Sequence, residues 1–171
     1  LVSELSMLSK LSLDKVPFYF EKIKAKDFFE EYTAYAADTL GEAGIEFIYN
    51  FECDEDREIN IDPAQFRRVL NNLIDNSRKY GAEDGTAKIM LSVRNGENGH
   101  TEISIEDNGQ GVPADERDKI FETFYRGDKA RTGHKNGSGL GLAITKQITD
   151  RHGASIRADE SELGGLKVII D

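Results

Sequence analysis

One helical segment and the two glycine-punctuated loops that follow it constrain this chain more than any other feature. Residues 63–81 read PAQFRRVLNNLIDNSRKYG, residues 106–113 read EDNGQGVP, and residues 136–144 read NGSGLGLAI. On the helix, Phe66, Val69, Leu70, Leu73 and Ile74 fall on one face, which must be buried. Asn72, Asn76 and Lys79 stand at i, i+4 and i+7 and form a second stripe, roughly 120° around from the apolar centre. That stripe can line the edge of a cleft. A neutral amide oxygen suits Mg²⁺, which keeps most of its waters and completes its shell from phosphates. A lysine one turn further on can neutralise a phosphate. Taken alone, the two asparagines and the lysine read more simply as a solvated face.

The first loop follows an alternating strand. Ile103 and Ile105 point to one side, Glu102, Ser104 and Glu106 to the other, so Asp107 is expected to point inward with the isoleucines. An inward carboxylate is costly unless it accepts strong hydrogen bonds. An adenine amino group would be such a donor. Asn108-Gly109 and Gly111 then turn the chain and leave room for a ligand against the backbone. The same residues are also ordinary turn chemistry.

In the second loop Gly137, Gly139 and Gly141 open a helix carrying Leu140, Ala143, Ile144 and Ile148. Glycines there expose backbone N–H groups, and the helix dipole adds positive potential, which suits phosphates. Between the loops, Arg126, Lys129, Arg131 and Lys135 face a single acid, Asp128. A basic, glycine-flanked segment beside a phosphate cradle reads as a lid that closes over a triphosphate. A loop that is merely solvated is the other reading.

Composition narrows the class. The net charge of −10 disfavours a nucleic-acid partner, because phosphate neutralisation needs a basic surface. One cysteine, Cys53, leaves no internal disulfide and no cysteine zinc site. No apolar run approaches the roughly 20 residues that span a bilayer. The length of 171 residues suits one domain with a real core.

Along the chain, Leu1, Leu5 and Leu8 have helical spacing and read as the end of a helix begun upstream. It packs either on its own domain or in a bundle with a partner chain. After Pro17, a stretch over 18–24 is extended. Asp27 is a candidate N-cap for a helix over about 28–41, and Asp62 caps the next helix with Pro63 in its first position. Strands are expected at 45–51, 57–61, 87–94, 100–106, 154–159 and 166–170, and a last helix over 139–151. About six strands and three longer helices make an α/β (α+β) sandwich with much antiparallel pairing.

These three segments, with IFETFYRGD at 120–128 between the loops, resemble in this order the catalytic and ATP-binding domain of bacterial sensor histidine kinases, within the superfamily that includes the Hsp90, gyrase and MutL ATPase domains. Residues 72–80 are similar to the N box. Asp107, Gly109 and Gly111 are similar to the first glycine box, Phe121 and Phe124 in IFETFYRGD to the F box, and Gly137, Gly139 and Gly141 to the second glycine box. The resemblance covers residues 17–171. It implies a two-layer sandwich whose mixed, largely antiparallel sheet is covered on one face by about three helices, with a flexible ATP lid over about 127–138. It implies ATP and Mg²⁺ as cofactors, with Asn76 as the metal ligand and Asp107 reading adenine. Asn72, Lys79 and Arg126 would serve catalysis. Tyr80, Gly109, Gly111, Phe124, Lys129, Arg131, Gly137, Ser138, Gly139, Leu140 and Gly141 would surround the nucleotide.

The related ATPases resemble this pattern but carry a glutamate four residues before the metal-binding asparagine, as a general base toward water. Here Asn72 stands at that position, and its amide has no useful basicity. This favours phosphoryl transfer to a side chain over hydrolysis. The resemblance also implies an acceptor histidine on a two-helix dimerisation domain. His100, His134 and His152 are the only histidines; none sits in such a setting, and all three are expected at the surface. Residues 1–16 resemble the tail of the second dimerisation helix, so the acceptor would lie on a domain outside this sequence, with the receiver domain of a response regulator downstream. The expected location is cytoplasmic, without membrane contact by this segment, in a parent protein that an anchor elsewhere could hold at a membrane. Two further readings stay open: an ATP hydrolase of the same superfamily, and a degenerate nucleotide-binding module used for protein interaction.

Overall fold

The computed structural model describes residues 2–82, 84–126 and 138–171. Helix α1 (Val2–Ser12) and a short strap lead to β1 (Glu21–Lys24), α2 (Ala25–Glu42), β2 (Glu46–Glu52), β3 (Glu58–Ile61) and α3 (Pro63–Tyr80). β4 (Lys88–Asn95) and β5 (Thr101–Asp107) form a hairpin, and two 3-10 turns, Ala114–Glu116 and Lys119–Phe121, follow. α4 (Gly141–Arg151) precedes a closing hairpin of β6 (Ile156–Glu160) and β7 (Leu166–Ile170).

The main sheet has the order β2-β4-β5-β7-β6. β2 and β4 are parallel and every other neighbour is antiparallel. β1 and β3 form a separate antiparallel ribbon. β2 and β3, joined through the acidic stretch 53–56, therefore belong to different sheets. β2 sets Phe47, Tyr49 and Phe51 against the core, while β3 delivers the chain to the start of α3.

Period-2 alternation sends Ile89, Leu91 and Val93, Ile103 and Ile105, and Val168 and Ile170 to one face of the sheet. There they meet Phe66, Val69, Leu70 and Leu73 of α3, Ile144 and Ile148 of α4, and Phe28, Phe29 and Leu40 of α2. Each such side chain contributes about 1.5–3 kcal/mol on burial. The opposite face carries Ser92, Arg94, Glu102, Ser104 and Glu106. The result is the expected two-layer α/β sandwich.

Two local expectations are corrected. Asp27 is not the N-cap of α2: the helix starts at Ala25, with Lys24 in the cap position and no side-chain cap. The buried Ala25 N–H donates instead to the Arg57 carbonyl at 2.8 Å, so the β1–β3 ribbon does what a capping side chain would do. Asp27 lies in the first turn, where its charge favours the helix dipole.

His152 is not a surface histidine. It is half-buried, with ring centroids of Phe18, Phe20 and Phe66 at 5.4, 5.2 and 5.6 Å. Its Nε2 accepts the Asp62 N–H at 3.1 Å, and its Nδ1–H donates to the Ile148 carbonyl at 2.8 Å. Those two bonds fix one neutral tautomer.

Asp62 does cap α3. Its Oδ1 accepts from Gln65 N at 2.9 Å, and its Oδ2 accepts from Tyr19 N at 2.8 Å, which ties the strap to the helix start. The strap is held from the other side by Arg151, whose guanidinium lies 4.2 Å from the centre of the Phe18 ring and donates to the Val16 carbonyl at 2.9 Å. α1 rests on α4 through buried Leu11 and a Ser12–Gln147 hydrogen bond, while its Val2 is 82% exposed. Met7 and Leu8 also pack against the core, and Glu4 reaches the lining of a cleft beside α3, so the helix rests on its own domain while Val2 stays exposed.

Candidate functional site

The polar stripe of α3 forms one wall of a cleft of about 620 Å³. Asn72, Asp75, Asn76, Lys79 and Tyr80 line it from the helix. Asp107, Gln110 and Gly111 line it from the end of β5 and the turn beyond. Arg126, Ser138, Gly139 and Gly141 line it on the approach to α4, and Gly164, Gly165 and Leu166 from the β6–β7 turn. Residues far apart in sequence converge because the apolar faces of α3, α4 and the sheet pack together and leave their polar margins to meet.

Asp107 is 2% exposed and faces this cleft, on the side of the sheet expected from Ile103 and Ile105. Its Oδ1 accepts from Gly109 N at 3.0 Å and from Leu166 N at 3.2 Å. Burial pushes its carboxyl up from the ordinary aspartate value, and hydrogen bonds from Gly109, Leu166 and the Ser77 hydroxyl act in the opposite sense. The buried acid is thus held in place by protein donors while its side chain borders open space.

Asn72 has a second commitment. Its Nδ2 donates to the Gly141 carbonyl at 3.2 Å and lies 3.4 Å from Thr145 Oγ1. The amide is a strut between α3 and the first turn of α4. Asp75 also reaches the cleft, and its carboxylate pairs with Arg78 at 3.3 Å.

Three of the expected nucleotide residues are not among those that line the cleft. Gly109 packs against the end of α3: a Cβ there would overlap the Tyr80 carbonyl oxygen. The glycine makes room for protein backbone. Phe124 is 59% exposed in a left-handed conformation, φ 64°, with its N–H on the Gly139 carbonyl at 3.0 Å. Leu140 is fully buried in the core. Lys129, Arg131 and Gly137, with nearly all of the expected lid, lie outside the described residues.

Several contributors were not anticipated. Ser77 completes the stripe 66, 70, 73, 77 on the buried face of α3, and a lone hydroxyl on an apolar stripe was the available signal. Beyond the first glycine loop, Tyr125 donates to Glu116 Oε2 at 2.6 Å, and Arg117 Nη1 pairs with Asp159 at 2.9 Å. These contacts join the 3-10 turns to their surroundings at the cleft rim.

Comparison with known proteins agrees with this geometry. The family described as histidine kinase-, DNA gyrase B-, and HSP90-like ATPase matches residues 61–171, from the end of β3 through both glycine loops to β7. The sensor histidine kinase WalK of Bacillus subtilis is 41% identical over 127 residues, 74% of this chain and 20% of that protein. The chain therefore spans about a fifth of that relative's length. Among solved structures, the catalytic domain of the histidine kinase ThkA superposes with a TM-score of 0.73 at 23% identity, covering 90% of this chain and 96% of that one. Full-length ShkA in complex with AMPPNP gives a TM-score of 0.80 at 22% identity, covering 99% of this chain and 34% of that one. Those two likenesses show the fold, while the family match and the WalK identity carry descent. The chain belongs to the histidine kinase-, DNA gyrase B- and HSP90-like ATPase family and is homologous to the ATP-binding catalytic domains of sensor histidine kinases.

Proposed function

We propose that this domain binds ATP with Mg²⁺ in the α3 cleft and transfers the γ-phosphoryl group to a histidine on a separate dimerisation domain. The observation that carries the reading is the buried Asp107 carboxylate bordering the cleft. The adenine amino group donates to it, and Gly111 lets the backbone approach the base. The phosphates lie toward Ser138, Gly139 and Gly141, where the N-terminus of α4 supplies N–H donors and positive potential. Lys79 and Arg126 neutralise them from the opposite walls. A complex of ShkA with AMPPNP supports a nucleotide in a cleft of this fold.

The donor set fits magnesium. Among the described residues, no three His, Cys, Asp or Glu side chains converge on a metal position, so the ion would arrive with the triphosphate. The Asn76 amide oxygen at the cleft wall would hold it. When bound, the ion neutralises charge on the transferring group.

Transfer is favoured over hydrolysis because the position suited to a water-activating base is Asn72, whose amide is engaged with α4. Residues 1–16 supply the lower end of the second dimerisation helix, and the phosphohistidine passes its group to a response-regulator receiver domain. ATP is a cytoplasmic substrate, so the domain works on that side, whether or not an anchor elsewhere holds the parent protein at a membrane. Among the described residues no helix is long and apolar enough to cross one.

The test is incubation of this chain with γ-labelled ATP, Mg²⁺ and a dimerisation domain carrying the acceptor. Label should appear on that domain in acid-labile form. Rapid release of inorganic phosphate without labelled protein would favour the hydrolase reading.

A further inference from the structure

Glu106 and Asp107 are consecutive on β5, and alternation sends their carboxylates to opposite faces of the sheet. Both nevertheless hold the same turn. Glu106 is 2% exposed on the face away from the helices. Its Oε1 pairs with Lys167 Nζ at 3.0 Å, directly across the β5–β7 register. Its Oε2 accepts from Ser161 Oγ at 3.0 Å and from Glu162 N at 3.3 Å, and Ser161 Oγ in turn accepts from Leu163 N at 3.0 Å. From the other side, the Asp107 carbonyl accepts from Gly165 N at 3.1 Å and its Oδ1 from Leu166 N at 3.2 Å. Gly165 sits so close that a Cβ would overlap Asp107 Oδ1. Gly164, Gly165 and Leu166 also line the cleft.

We propose that Glu106 is a positioning residue for nucleotide recognition: by holding Lys167 and Ser161 it presses the 161–166 turn onto Asp107, and so fixes the carboxylate and the cleft wall beside it. This rests on Asp107 being the acceptor for the adenine amino group. A buried ion pair adds little net stability over an apolar pair of the same size, and its attested use is to specify one arrangement. Here the arrangement specified is a turn that carries two of the donors on Asp107. Without Glu106 the turn loses the bonds on the far face, and the Asp107 carboxylate gains freedom it must lose again on binding base.

The experiment compares ATP with ITP, whose base has an oxo group in place of the 6-amino group. Calorimetric titration with Mg²⁺ is run on the unaltered chain, Glu106→Ala and Ser161→Ala. The preference for ATP over ITP should fall about five- to tenfold in Glu106→Ala, the loss expected when one good hydrogen bond is no longer preorganised. A purely structural role would lower the melting temperature and leave that ratio alone. A folded Glu106→Ala with an unchanged ratio would overturn the proposal. If Glu106→Ala does not fold, Ser161→Ala decides: it weakens the same turn without stranding a buried charge, and a reduced ratio supports the proposal while an unchanged one overturns it. Failure of the Asp107 reading has a different signature, an unaltered chain with no preference for ATP over ITP.

Discussion

The Asn72 side chain donates to the Gly141 carbonyl at 3.2 Å and so ties the middle of α3 to the first residue of α4. The residue that stands where a water-activating carboxylate would be needed is therefore also a fixed point of α4. Asn72→Asp keeps the shape and replaces the donor with a negative oxygen facing a carbonyl. It should cost about 0.5–1.5 kcal/mol, the net worth of one hydrogen bond, because the half-buried Gly141 carbonyl keeps its bond from Thr145 Oγ1 at 3.0 Å. Urea unfolding measures this; an unchanged midpoint would mean that the strut bears no load.

Gly109 gives a sharper steric prediction. A methyl group there would overlap the Tyr80 carbonyl oxygen, and Gly81 Cα would stand 2.8 Å away. Neither neighbour is a flexible side-chain end. Gly109→Ala should therefore push the turn after β5 away from the end of α3, at about 1–3 kcal/mol. Gly141→Ala, with nothing within 4 Å of the added Cβ, is the matched control and should stay close to the unaltered chain in thermal unfolding.

These two glycines also show what was legible in the sequence. The helix over 63–80, its Asp62 cap and its polar stripe follow from 3.6-residue periodicity and capping chemistry, which are local. The inward Asp107 follows from alternation along one strand. The close approach of Gly109 to the backbone of Tyr80, nearly thirty positions earlier, has no local signal in the sequence. The donors Gly165 and Leu166 were missed for the same reason. They reach Asp107 through β5–β7 pairing, and a register of that kind is fixed by the packed sheet and leaves no local pattern. Asp27 was misplaced because a backbone carbonyl, Arg57, took the role that sequence signals assign to side chains.

His152 predicts a pH dependence. Burial holds its imidazole below the ordinary histidine value, while its bond to the Ile148 carbonyl and the Asp62 charge oppose the shift. As pH falls through 6.5, the unfolded chain takes up the proton before the folded chain does. Stability is therefore complete above that value and is lost on acidification toward the depressed folded value. Unfolding midpoints at about pH 7.5 and about pH 6 should differ for the unaltered chain and differ less for His152→Leu. Equal pH dependence in the two proteins would show that the imidazole is not held neutral.

Asp62 gathers Gln65 N, Tyr19 N and, through its own N–H, His152. Asp62→Ala removes the helix cap and the strap contact together and should cost about 1–3 kcal/mol. Hydrogen exchange at Tyr19 and Gln65 should rise in that variant. Protection at both sites equal to that of the unaltered chain would contradict the assignment.

The proposed function stands or falls with the buried Asp107 carboxylate reading the base of ATP. Calorimetric titration of Asp107→Asn with Mg²⁺–ATP tests it most directly. The amide preserves shape and places either a weaker acceptor or a donor before the adenine amino group. Losing a charge-assisted bond costs about 1.5–3 kcal/mol, so affinity should fall by at least about tenfold while the unfolding transition stays cooperative. A folded Asp107→Asn that binds Mg²⁺–ATP as tightly as the unaltered chain would contradict the account.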